Sequence, residues 1–131
     1  MKSFPEFMRN PANRISSHSQ STDGIEGFVF DGADNSQMAF WTYPDSMPLM
    51  KSVEHVHDYD EYLVVVQGRY TLVVGRKRTT LTPGDESLIP QGTPHRGEAT
   101  GGTRTIHCFG GRRAEREIKR RPKPPVPSKA A

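Results

Sequence analysis

The chain has 131 residues, 33% of them hydrophobic, and one cysteine, Cys108. That length suits one domain rather than two, and a lone thiol excludes an intrachain disulfide, so stability must come from packing, with or without a metal. The net charge of +3 is unevenly placed: residues 1–110 hold 10 Lys/Arg against 13 Asp/Glu, whereas residues 111–131 hold 8 against 2, so the basic character belongs to the tail.

Residues 1–23 are polar and rich in Ser and Asn, and read as an extended N-terminal arm. No apolar h-region stands at the N-terminus, and no run approaches the ~20 apolar residues of a membrane span. The cytoplasm is therefore the expected compartment.

From Gly24 onward the chain breaks into short strand-like runs: "GIEGFVF" (24–30), "QMAFWTY" (37–43), "KSVEHVH" (51–57), "EYLVVVQ" (61–67), "YTLVV" (70–74), "RTTL" (78–81), "ESLIP" (86–90), "HRGEA" (95–99) and "TRTIHCF" (103–109). Gly, Pro and Asp separate them, and no helical period appears. The pattern predicts an all-β sandwich or barrel over 24–110. "AEREIKRR" (114–121) has the spacing of a two-turn helix, and "PKPPVP" (122–127) forces an extended ending. The 111–131 tail is thus basic and proline-rich. It has no aromatic residues to interleave with bases, which argues against nucleic-acid binding and for a solubilising or docking extension.

Chemistry concentrates in two places. In "HVHDYDE" (55–61), His55 and His57 share a face if the segment is a strand, where alternate Cα atoms lie ~6.6 Å apart, and both imidazoles can reach one ion. Asp58-Tyr59-Asp60 reads as a tight turn that brings Glu61 back beside His57 on an antiparallel partner. Leu63 and Val65 would then share Glu61's face. Tyr62, Val64 and Val66 face the other way yet are also apolar, which implies cover on both faces, a second subunit being one source of it. In "GDESLIPQGTPH" (84–95), Pro90, Gly92 and Pro94 kink a loop that delivers His95. Three imidazoles and a carboxylate suit Mn, Fe, Co, Ni or Zn.

The spacing His55-x-His57-x3-Glu61-x6-Gly68, followed by Gly84-x5-Pro90-x-Gly92-x2-His95, resembles the two motifs of the cupin superfamily. The resemblance covers about residues 37–109. It implies a double-stranded β-helix, a jelly-roll-like barrel, with one divalent transition-metal ion inside held by His55, His57, Glu61 and His95, and often a homodimer. Leu49 and Ala99 stand where the motifs often have glycine and asparagine, neither of them a ligand position.

Within such a barrel two strands pose a choice of face. If Thr105, His107 and Phe109 point inward, His107 is a candidate general acid/base or substrate contact; the alternative puts Ile106 and Cys108 inside. Likewise either Met38, Phe40 and Thr42 or Ala39, Trp41 and Tyr43 face the interior. Trp41 and Tyr43 are candidate substrate contacts, with barrel or dimer packing as the alternative. Asp58 and Asp60 are either partners for imidazole N–H groups or solvated turn residues. The resemblance implies a small-molecule ligand. It leaves two classes open: a metalloenzyme of dioxygenase, isomerase or lyase type, and a non-catalytic barrel, sensor or carrier for a sugar or acid.

Overall fold

A computed structural model describes residues 1–15 and 24–114. The expected helix and proline-rich ending beyond residue 114 lie outside the described residues. Among the described residues nine strands follow in order: β1 (Glu26–Asp31), β2 (Gln37–Tyr43), β3 (Met50–Lys51), β4 (Glu61–Gln67), β5 (Tyr70–Val74), β6 (Lys77–Leu81), β7 (Glu86–Ile89), β8 (Arg96–Ala99) and β9 (Thr103–Phe109). They form a five-stranded sheet, β1-β2-β9-β4-β7, and a four-stranded sheet, β3-β8-β5-β6. All pairings are antiparallel. The architecture is the expected jelly-roll-type double-stranded barrel.

Side-chain alternation builds the interior. In β4, Glu61, Leu63 and Val65 are buried while Tyr62 and Val64 are half-buried and Val66 is exposed. Directly opposite residues in an antiparallel pair point to the same side. Leu63 stands opposite His107, and His107 opposite Ala39, so the inward face of β4 fixes those of β9 and β2. Thr103, Thr105, His107 and Phe109 point inward from β9, and Ala39, Trp41 and Tyr43 from β2; all seven are buried. Leu63 and Val65 are almost wholly enclosed. Truncating either would cost about 2–5 kcal/mol through lost transfer energy and the void left behind.

The third expected strand differs. "KSVEHVH" yields only the two-residue β3 and then an isolated bridge, His55 with His95. Val53 and Val56 are exposed, so this stretch has no buried alternation to hold it in a ladder. Nor does Glu61 pair beside His57: β4 lies between β7 and β9, with Glu61 opposite Ile89 and Phe109.

Two of the few apolar residues in the first 15 are buried. Phe4 packs edge-on against Phe28 and Phe40, with ring centroids 6.1 and 6.0 Å away, under the Arg104 guanidinium at 3.8 Å. Ile15 donates its N–H to the Gly27 carbonyl and joins the core.

Candidate metal centre

Backbone pairing, not a shared strand, brings the two histidine segments together. His55 and His95 exchange both N–H···O bonds at 2.9 Å, and Gly92 N–H donates to the His57 carbonyl at 2.9 Å. Gly92 holds φ at 78°, a conformation that costs a residue with Cβ of order 1 kcal/mol. The loop from Pro90 to His95 therefore bends as its sequence suggests and places His95 against His55.

The ligand-capable atoms of His55, His57, Glu61 and His95 all lie within 4.8 Å of one another. Two metal–ligand bonds of ~2.2 Å span ~4.4 Å at most, so an ion fits after a contraction of a few tenths of an ångström. The rings crowd closely: centroid separations are 4.8 Å for His55–His57, 4.3 Å for His55–His95 and 5.2 Å for His57–His95.

Each imidazole is oriented from behind. His55 Nδ1 lies 2.8 Å from the Val53 carbonyl, and His95 Nδ1 lies 2.8 Å from the Thr93 carbonyl. A carbonyl can only accept, so both Nδ1 atoms carry the proton and the neutral rings present bare Nε2 lone pairs. His57 Nδ1 meets the Tyr59 hydroxyl at 3.1 Å, with the Tyr59 ring stacked on it at 13°. These partners, two carbonyls and a phenol, take the place that Asp58 and Asp60 were candidates for. Asp60 instead accepts from the Gln91 N–H at 2.8 Å.

On the inner side, His57 Nε2 and His95 Nε2 are buried without a hydrogen bond. Each is near Glu61 Oε1, at 3.4 and 3.6 Å, contacts too long and poorly aimed to satisfy either group. Buried polar atoms are almost always paired. Two buried, unpartnered Nε2 atoms converging on one carboxylate oxygen are what a missing cation leaves behind. The residues present fit a divalent transition metal.

Glu61 is tied on its other oxygen. His107 Nδ1 lies 3.0 Å from Glu61 Oε2, and His107 Nε2 lies 2.9 Å from Thr105 Oγ1. Burial alone would push the Glu61 carboxyl up; His107, His57 and His95 outweigh it and hold the group well below its usual range. The same burial pushes His55 down, reinforced by the neighbouring His95, Arg113 and His57 charges. Burial would lower the His95 imidazole too, but Glu61 and the Thr93 carbonyl outweigh it and raise the group. Metal binding needs a deprotonated carboxylate and neutral imidazoles, so it would displace any proton on His95.

The centre opens into a cavity of about 50 Å3. Trp41, Tyr43 and His107, singled out as possible substrate contacts, all line it, together with Tyr70 and Arg113. Burial raises the Tyr43 and Tyr70 phenols. The Trp41 Nε1–H is buried without an acceptor. Sequence reasoning misses Tyr70 and Arg113 as cavity residues. Tyr70 follows Gly68 and Arg69 at the start of a strand and carries no motif, and Arg113 is hidden among the basic residues of the tail.

Comparison with known proteins agrees with this geometry. Residues 47–109 match the family model described as "Cupin domain". No curated protein matches the chain. Among solved structures, a protein named KdgF from Halomonas sp. is 22% identical, with 70% of this chain and 83% of that one covered and a TM-score of 0.61. A cupin superfamily protein from Desulfitobacterium hafniense is 14% identical, covering 66% and 77%, with a TM-score of 0.59. An RmlC-like cupin from Shewanella frigidimarina is 19% identical, covering 66% and 75%, with a TM-score of 0.57. At such identities the likeness is one of fold.

Proposed function

The chain belongs to the cupin superfamily, and on that premise we propose that it holds one divalent transition-metal ion, Mn, Fe, Co, Ni or Zn, and presents it to a small organic substrate. The observation that carries this reading is the pair of buried, unpartnered Nε2 atoms facing Glu61 Oε1. His55, His57, Glu61 and His95 are the proposed ligands. A bound ion supplies Lewis acidity and, as iron, dioxygen chemistry.

The chain's own residues do the positioning. His107 fixes Glu61 Oε2 and leaves Oε1 toward the imidazoles. Thr105 fixes His107 in turn. The Val53 and Thr93 carbonyls hold a proton on Nδ1 of His55 and His95. Trp41, Tyr43 and Phe109 wall the cavity and limit water.

A metalloenzyme of dioxygenase, isomerase or lyase type is the first reading. One observation favours the second, a non-catalytic binding barrel, sensor or carrier. Both ring nitrogens of His107 are engaged, and His55 and His95, the other described imidazoles that line the cavity, are proposed ligands, so no described imidazole is left there to move a proton. Metal content and turnover separate the two. Protein grown with Mn, Fe, Co, Ni and Zn equally supplied should carry one ion per chain, and a Glu61→Ala variant that keeps its fold should carry almost none. Turnover of a substrate panel that is lost on chelation supports the enzyme. Saturable binding without turnover supports the carrier. A wild-type chain without metal would overturn the metalloenzyme, and ligand binding that persists after chelation would support the carrier.

The homodimer has support on the outer face of the five-stranded sheet. Phe4 covers the β1–β2 part, against Phe28 and Phe40. Across β9, β4 and β7 the face holds half-buried Tyr62, Val64, Ile106 and Cys108, beside Val66 and Leu88, 48% and 61% exposed. A contiguous apolar patch of this kind is suited to a second copy of the chain. Sedimentation should show a dimer, and Val64→Asp with Leu88→Asp should give monomers. No helix among the described residues is long and apolar enough to cross a membrane. With no disulfide to form, a cytoplasmic location is our reading.

A further inference from the structure

Trp41 is a buried donor with nothing to donate to. The residue is 6% exposed, it lines the cavity beside Tyr43, Tyr70 and Glu61, and its Nε1–H has no hydrogen-bond partner. Its place in the sheet sets the direction of that group. Trp41 stands opposite Gly27 on one side and Thr105 on the other. A Cβ at Gly27 would lie 3.5 Å from Trp41 Cε3, so the benzo edge of the indole leans on β1. The opposite edge, which carries Nε1, is turned from β1 toward the cavity. The edge-on contact with the His107 ring, 5.8 Å between centroids, packs the indole but does not replace an acceptor. An indole nitrogen can only donate, and buried polar groups are rarely left unpaired.

The other polar groups of the cavity have work of their own. Among the described residues that line it, Glu61 is the sole acid, and its oxygens face His57, His95 and His107. Ser52 Oγ accepts from the Gly97 N–H at 2.8 Å. Burial pushes the Tyr43 and Tyr70 phenols up, so both keep their O–H and add donors to the wall. A ligand that suits this lining brings an acceptor atom and no donor. Size narrows it further. A water needs about 10–15 Å3, so 50 Å3 takes a molecule of only a few non-hydrogen atoms. The segment after β9 keeps the space small: Gln37 Oε1 accepts from the Arg113 and Ala114 backbone N–H groups at 2.8 and 2.9 Å, and Gly111 passes so close to Tyr59 that a Cβ would meet its ring at 2.5 Å.

Building on the proposed metal site, we infer that the cavity takes a small carbonyl compound and that the Trp41 Nε1–H donates to its oxygen, which makes Trp41 the residue that selects an acceptor-bearing molecule over an apolar one of the same shape. A carbonyl oxygen offers lone pairs and no hydrogen, which is what the orphaned indole N–H lacks. An apolar molecule of equal size would fill the same space and leave that N–H unpaired.

Trp41 is the only tryptophan in the chain, so isotope-labelled protein gives a single indole N–H signal in a proton–nitrogen correlation spectrum. Acetone and isobutene share a shape, with oxygen in one where the other has a methylene, and neither carries charge. Each should be titrated into metal-free and zinc-loaded protein. Acetone should move the indole proton downfield saturably in both forms. Isobutene should not, and should bind about tenfold more weakly by saturation transfer to its own methyl signals. Trp41→Phe, which keeps an aromatic wall, should bind acetone no more tightly than isobutene, with zinc content unchanged. The wild-type indole signal carries the test if that variant fails to fold. An indole proton that acetone leaves in place, equal shifts from the two probes, or a Trp41→Phe variant that keeps the acetone preference would overturn the inference. If the protein takes no zinc yet acetone still moves the indole proton, the metal reading fails and this one stands. Full zinc occupancy without an indole response is the reverse.

Discussion

Glu61 and Glu98 are both buried carboxylates, on opposite sheets, and their surroundings make them different objects. Glu98 lies in β8 opposite Thr71, gripped by Arg78 Nη1 and Nη2 at 2.8 and 3.0 Å and by Arg96 Nη1 at 2.7 Å. Its charge and its lone pairs are met. Hydrogen bonds from Arg78 and then Arg96 hold its carboxyl down to about 2. Glu61 has imidazoles in place of guanidinium groups, and two of them point unpartnered Nε2 atoms at it. Polar atoms left unpaired in a buried space are costly unless a bound group joins them. Burial of an acid is thus no mark of a site; the unmet valence of its neighbours is.

The largest effect that would sharpen this contrast is in metal affinity. Removing an outer partner of a ligand typically costs 10–100-fold, and removing the ligand itself costs more. Glu61→Ala should weaken binding by more than about 100-fold in a calorimetric titration, whereas Glu98→Gln should leave it unchanged. A comparable loss in both would erase the distinction.

Next comes the tether. His107→Asn or Thr105→Val frees Glu61 Oε2 and should lower metal affinity by about 10–100-fold while the barrel persists by circular dichroism. Unchanged affinity would make His107 a packing residue.

Glu98 should speak through pH instead. Its folded carboxyl titrates at about 2 against an ordinary 4.5. A depressed value means that the charged form stabilises the fold, fully above 4.5 and progressively less as pH falls toward 2. The wild-type melting temperature should drop across that window, and Glu98→Gln should start lower and show a flatter profile there.

The smallest change is Tyr59→Phe. The ring stacked on His57 remains, and only the 3.1 Å hydroxyl contact is lost. Metal affinity should fall by no more than about tenfold, measured by competition with a chelating dye.

Local features of the chain make much of this legible in the sequence. Runs bounded by Gly and Pro mark most strands close to their observed limits, because alternation in β4 and turn residues such as Gly92 act locally. The grouping of His55, His57, Glu61 and His95 is also legible, through the spacing of its two segments. What stays hidden depends on long-range pairing. "TRTIHCF" offers core residues on both faces, and only the register of β9 between β2 and β4 turns His107 inward. The stretch before His57 has the composition of a strand but lacks buried alternation, so the bridge to His95 takes the role expected of a ladder. Gln37 and Arg113 are 76 residues apart in the chain, and no local pattern links an amide at a strand start to an arginine in a basic run. Phe4 and Ile15 give no signal for the same reason: each is an isolated apolar residue in a polar stretch.

The most direct test of the account is anomalous diffraction from crystals of the full chain grown with nickel or zinc. One strong peak per chain is expected, at bonding distance from His55, His57 and His95 Nε2 and Glu61 Oε1, and none in Glu61→Ala crystals. Full-length, ordered protein with those four side chains in place and no anomalous peak between them would contradict it.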